Sequence, residues 1–202
     1  MEEQALPFSD ARVRTAHHDD IDALHRLVET AYRGDSARRG WTHEADLLGG
    51  QRTDIAKLTQ MLVASDETIG VIDLPANVFS PESAHATTSR PLIGCVHVRI
   101  NPLVQPDDRL VAYLGMLAVD PEHQARGLAR RLIDWAEQTA RDEFGARAMQ
   151  MTVIGQRREL IQYYERRGYL DTGERQAFPL DDPRFGLPKT RALYFVVLEK
   201  RF

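Results

Sequence analysis

The sequence predicts a mixed α/β domain, and three observations carry that expectation. Short segments that alternate apolar and polar residues are interleaved with segments whose apolar residues recur at helical spacing. Residues 109–154 read as strand, helix, strand, which implies a parallel pair joined by a right-handed crossover. The chain has 202 residues, enough for one domain with a full core.

Taken in order, residues 1–11 read as a loose leader, and residues 12–202 as a single domain. Residues 12–16 alternate like a short strand. Asp19 or Asp20 can then cap a helix whose apolar face is Ile21, Leu24, Leu27, Val28 and Ala31. A turn-rich polar stretch follows, and a second helix starts near Thr53, its expected cap, with Ile55, Leu58, Met61 and Leu62 on one side. Strands are expected over 68–74, 91–100 and 109–119. Residues 75–90, rich in Pro, Ser, Thr and Ala, read as a long loop between the first two. A long amphipathic helix over 126–144 is stopped by Gly145, a strand covers 148–154, and a short helix over 158–167 is closed by Gly168. The segment 193–198 is apolar and β-rich, and could pair with a second copy in a homodimer.

Composition narrows the function classes. Apolar content of 43% and charged content of 28% are ordinary for a globular protein. A net charge of −4 argues against sequence-wide attraction to nucleic acid or an anionic membrane, so arginine clusters need local explanations. No apolar run approaches a membrane span, and the opening MEEQALPFSDARV is acidic rather than signal-like. The lone Cys95 allows no intrachain disulfide and fits a reducing, cytoplasmic compartment; between Gly94 and Val96 it reads as a small buried hydrophobe rather than a nucleophile. His17-His18-Asp19-Asp20 reads as a helix cap, because adjacent residues at a strand end point to opposite sides and converge poorly on a metal.

The chemistry concentrates at residues 114–130. The strand LGMLAV runs through Asp120-Pro121 into Gln124-Ala125-Arg126-Gly127-Leu128-Ala129-Arg130, which opens the long helix. Backbone N–H groups at a helix start lack partners and meet the positive end of the helix dipole, so they suit a phosphate. Gly127 and Ala129 let the backbone approach the oxygens, and Arg126 and Arg130 add charge. No G-x-x-x-x-G-K-[ST] and no G-x-G-x-x-G after a strand is present, which disfavours a P-loop or dinucleotide-binding reading. Alone, the pattern also fits an ordinary helix start with exposed arginines.

Together with Tyr164-Glu165-Arg166-Arg167-Gly168-Tyr169 further on, LAVDPEHQARGLARRLI resembles the two central motifs of the GNAT superfamily of acyl-CoA-dependent N-acetyltransferases. The resemblance implies a central mixed, mostly antiparallel sheet with a splayed parallel strand pair, flanked by about four helices. It implies acetyl-CoA as cosubstrate and no metal. Residues 125–130 would cradle the CoA pyrophosphate after Gln124, and Leu117, Ala118 and Val119 would present backbone to the pantetheine. A bulge next to Gly115 would aim a backbone N–H at the thioester carbonyl. Tyr164 stands at the family's general-acid position; the other reading is a packed aromatic, with Tyr163 beside it as a competitor. Where many members carry a small polar residue, about seven positions earlier, this chain has Arg157 after Gln156.

No general base is readable. Tyr113, Gly115 and Leu117 hold the places where some members carry His or Glu; His97 either lines the cleft or is a satisfied strand histidine. The stretch 31–54 should wall the acceptor entrance. Arg33, Arg38, Arg39 and Arg52 could recognise a carboxylate or phosphate there, Glu44 and Asp46 could hold an amine, or the stretch is a solvated loop anchored by Trp41. The expected function is transfer of an acetyl group from acetyl-CoA to a primary amine of a small molecule or peptide, by direct attack in a ternary complex. The alternative is an acyl-CoA-binding regulatory module without transfer. A nucleic-acid binder is disfavoured by the acidic balance and the lack of interleaved aromatics.

Overall fold

A computed structural model describes residues 8, 11–75, 91–101, 109–182 and 185–202. The leader expected over 1–11 and the loop expected over 75–90 lie outside these residues, apart from Phe8, Ala11 and Pro75. Strand β1 (Val13–Thr15) leads through a 3-10 turn to helix α1 (Ile21–Tyr32) and the single-turn α2 (Gly34–Ala37). Then come β2 (Leu48–Gly49), α3 (Ile55–Val63), β3 (Glu67–Asp73), β4 (Leu92–Ile100) and β5 (Val111–Val119). Helix α4 (Leu128–Asp142), β6 (Ala148–Ile154) and α5 (Arg158–Glu165) follow, then β7 (Leu170–Ala177), β8 (Leu187–Pro188) and β9 (Tyr194–Arg201).

Seven strands form one sheet in the order β1-β3-β4-β5-β6-β9-β7, and β2 and β8 make a separate two-stranded ribbon. Only β5 and β6 pair in parallel within the seven-stranded sheet. The mixed, mostly antiparallel sheet is therefore as expected, with five described helices, one of them a single turn. One face is covered by α1 and α3, whose Leu24, Leu27, Val28 and Leu58 meet Ile69, Val71 and Cys95. The other is covered by α4, whose Leu128, Leu132, Ile133 and Ala136 meet Ile93, Val96, Leu114 and Met149. Burying these side chains on both faces is the main favourable term for such a sheet.

Two capping expectations are corrected. Asp20 precedes α1 but its carboxylate does not cap the helix; it accepts from Arg14 at 2.7 Å and from the His17 amide at 2.8 Å. Asp54, not Thr53, caps α3, accepting from the Lys57 amide at 2.8 Å. Strand β7 was not individually legible because all its residues are exposed and polar-rich, an edge strand without alternation. β9, the apolar segment expected to pair with a second copy, is hydrogen-bonded on both sides, by β6 and β7; the edge strand on that side of the sheet is β7.

Candidate acyl-transfer site

The parallel pair holds together only at its start. Val111, Ala112 and Tyr113 pair with Ala148, Met149 and Gln150, and beyond them β5 and β6 have no pairing with each other. On its other edge β5 carries a bulge: Cys95 opposes Ala118 and His97 opposes Gly115, leaving Met116 and Leu117 opposite one residue. Met116 takes a positive φ of 47° to make it. The extra residue inverts the side-chain alternation, so that Ala112 and Leu114 face α4 while Met116 and Ala118 face α1. Gly115 belongs here sterically, since a Cβ would lie 3.3 Å from the Tyr113 ring and 3.5 Å from His97 Nδ1.

Past the bulge the chain enters the glycine turn. Gly127 has φ 77° at the start of α4, a left-handed conformation that side chains disfavour, and no side chain caps the helix. A Cβ there would meet nothing within 4 Å, so the backbone conformation, not space, requires the glycine. Ala125 is also left-handed, at φ 59°. The uncapped helix start opens into a cleft of about 610 Å³ that runs along β5 to α5. This bare, open turn fits a pyrophosphate.

Nine of the ten expected cofactor residues line this cleft: Leu117, Ala118, Val119, Gln124, Ala125, Gly127, Leu128, Ala129 and Arg130. Arg126 does not; its guanidinium lies 4.6 Å over the Phe8 ring. Gln124 is a strut, accepting from the Trp41 amide at 3.0 Å and donating to the Val119 carbonyl at 3.3 Å. The Leu128 side chain is buried in the core, leaving its backbone for the cleft.

Tyr163 and Tyr164 separate clearly. Tyr163 lies beside Trp41, with ring centroids 5.7 Å apart, beneath the Arg167 guanidinium, on the wall of the larger cleft. Tyr164 lines both this cleft and a second, smaller one of about 140 Å³ in the splay between β5 and β6. Its hydroxyl makes no hydrogen bond to another described residue, and burial raises its pKa, keeping the phenol protonated. Tyr169 packs edge-on against it at 5.9 Å and donates to Glu137 at 3.0 Å, fixing the end of α5. Tyr32 reaches across from α1 and donates to the Leu117 carbonyl at 2.8 Å; burial pushes its phenol up to about 12.

The 31–54 stretch is not a simple solvated loop. Arg33 and Arg157 both donate to Glu44, at 2.7 and 3.1 Å, and all three are buried. Burial alone would raise the Glu44 pKa, but Arg157, Arg52 and Arg33 together hold it below the usual carboxylate range. Arg157 also donates to Thr42 at 3.0 Å, so the residue that departs from the family pattern ties this stretch to α5. Sequence reasoning missed that role, and no local signal could have found it across 113 residues. Arg38 and Asp46 pair at 2.9 Å on the surface, and Arg39 pairs with Glu122 at 3.2 Å. Trp41 is half exposed on the rim and is no buried anchor. His97 is buried and hydrogen-bonded to Glu67, the satisfied strand histidine of the two readings. Among the described residues no cluster of metal-ligating side chains occurs, and no helix is long and apolar enough to cross a membrane.

The family model of the acetyltransferase (GNAT) family matches residues 64–169, more than half of the chain, spanning the bulged strand, the glycine turn and Tyr164. The chain belongs to the GNAT acetyltransferase family. The S-(2-succino)cysteine N-acetyltransferase of Bacillus subtilis (strain 168) is 30% identical over 84 residues, which are 41% of this chain and 51% of that protein. The match thus spans about half the length of that relative. Among solved structures, the fold is similar to Arabidopsis thaliana NAA60 in complex with a bisubstrate analogue (TM-score 0.64, 15% identity, 95% and 99% of the two chains). It is also similar to the spermidine/spermine N-acetyltransferase SpeG from Vibrio cholerae in complex with manganese ions (TM-score 0.60, 16% identity, 97% and 95%). At these identities the likeness shows the fold.

Proposed function

We propose that residues 12–202 form one acetyltransferase unit that transfers the acetyl group of acetyl-CoA to a primary amine by direct attack in a ternary complex. The observation that carries this reading is the Tyr164 hydroxyl, standing unbonded among the described residues where the two clefts meet. Acetyl-CoA supplies an activated thioester, with its pyrophosphate at residues 124, 125 and 127–130 and its pantetheine along Leu117, Ala118 and Val119. A backbone N–H at the Met116–Leu117 bulge stabilises the oxyanion that develops on the carbonyl. Tyr164 hydrogen-bonds the departing sulfur and protonates it as the C–S bond breaks, while the amine forms the new C–N bond and loses its proton to solvent. Cys95 is buried and its thiol is pushed up to about 12 by that burial, which supports direct attack over an acyl-cysteine route. A lone, reduced cysteine also suits the cytoplasm.

The test is thiol release from acetyl-CoA over a panel of amines. Tyr164→Phe should keep CoA affinity and lower kcat by about 10²- to 10⁴-fold. Unchanged turnover in that variant would remove Tyr164 from the chemistry. The relatives name acceptors of opposite kinds, an amino acid for the Bacillus subtilis enzyme and a polyamine for SpeG.

A further inference from the structure

The smaller cleft, where the acceptor amine must sit if the transferase reading holds, is cationic. Arg52, Lys57 and Arg157 line it, against one carboxylate, Glu44. That carboxylate is already committed to Arg33 and Arg157. Arg52 is different. No carboxylate oxygen of a described residue lies within hydrogen-bond or ion-pair distance of its guanidinium, which rests 5.0 Å over the Tyr32 ring.

The position of Arg52 is nonetheless fixed. Glu29 of α1 accepts from the backbone amides of Arg52 and Thr53, at 2.8 and 2.9 Å, so that carboxylate is spent on the loop's backbone. The side chain lies half-buried over the Tyr32 ring on the wall of the splay, with no carboxylate of a described residue in hydrogen-bond reach, and Glu44 and Glu29 offset its charge only from a distance. Leaving a guanidinium partly desolvated and unpaired costs free energy, and an anionic ligand recovers it through a bidentate, charge-assisted pair.

We infer that the acceptor is a small amine bearing a carboxylate, which docks on Arg52 and thereby turns its amino group toward the bulge of β5 and Tyr164. A polycation such as spermidine would face Arg52, Arg157 and Lys57 with no uncommitted carboxylate among the described lining residues. The cleft volume of about 140 Å³ suits a small amino acid rather than a long chain.

The experiment compares α-amino acids with their α-carboxamides and with spermidine in the thiol-release assay. The amine of a carboxamide is less basic and more of it is neutral at pH 7, so intrinsic reactivity favours the carboxamide. Recognition by Arg52 should reverse that order. Arg52→Gln should raise KM for the acids by about 10- to 100-fold and that for the carboxamides far less, and Arg52→Lys should recover part of the loss. KM for acetyl-CoA should not follow. Equal use of acid and carboxamide, an equal effect of Arg52→Gln on both, or a preference for spermidine would overturn the inference while leaving transfer intact. If no amine releases thiol, the transferase reading fails, and binding decides the inference separately. N-acetylated amino acids should then raise the melting temperature of the CoA-bound protein more than their carboxamides do, and Arg52→Gln should abolish the difference. An equal shift from both would overturn it.

Discussion

The two clefts share Tyr32, Leu117, Arg157, Leu160 and Tyr164, yet they are built in opposite ways. The larger is floored by backbone: residues 117–119 of β5, a left-handed Gly127 and an uncapped helix start, all within residues 117–130. The smaller is walled by side-chain charges drawn from residues 44, 52, 57 and 157, with Arg33 bracing Glu44 from behind, and these meet only in the folded chain. A surface of backbone groups depends on the local sequence that shapes it. A buried charge cluster depends on every member being present.

The sharpest way to break that contrast is to remove the member that neutralises the rest. Glu44→Ala would leave Arg33 and Arg157 buried without their shared carboxylate, at a site where Arg33 Nε and Nη2 already lack partners. Breaking a buried pair by deleting one partner costs about 3–5 kcal/mol, and two guanidinium groups are stranded here. Urea denaturation should show that loss as a lower midpoint, with CoA still bound by whatever fraction folds. A loss below about 1 kcal/mol would mean the cluster is solvated and behaves as a surface pair.

The next variant acts on the other cleft. Gly127→Val forces a β-branched residue to φ 77°, at about 1–2 kcal/mol of backbone strain. If the turn relaxes to relieve it, the N–H groups turn away and KM for acetyl-CoA rises by about tenfold or more. The acceptor KM should hold, because Gly127 lies outside the smaller cleft. Parallel rises in both would show that the clefts are not separable.

The same contrast explains what was legible. The parallel pair, the order of its flanking elements and the glycine turn follow from periodicity and local spacing, and nine of ten expected cofactor residues do line the larger cleft. Arg126 failed because its partner, Phe8, lies far back in the chain, where no local pattern points. The acceptor wall was unreadable for the same reason. Arg33, Arg38, Arg39 and Arg52 look alike in sequence, and only the fold sorts them into a buried strut, two surface pairs and one cation without an ion-pair partner among the described residues. Edge strand β7 lacked alternation because neither of its faces is buried.

The mildest test uses pH. Glu44 and Asp20 both titrate below their ordinary values, Glu44 because three arginines outweigh its burial and Asp20 because Arg14 donates to it. In each case the unfolded chain takes up protons at a higher pH than the folded one. Their stabilisation is therefore complete above the ordinary carboxylate range and is lost as pH falls through the folded values. The parent protein should lose stability on the acid side of about pH 4.5, the ordinary value for Glu44. Glu44→Gln keeps the shape of the side chain but cannot titrate, so its stability should start lower at neutral pH and fall less steeply with acid. Asp20→Asn should flatten the acid limb by a smaller amount, since the Asp20 pair is partly exposed, with Arg14 37% open to solvent. If both variants flattened the limb equally, the Glu44 cluster would be no more buried in its energetics than a surface pair, and the contrast between the two clefts would fail at its charged end.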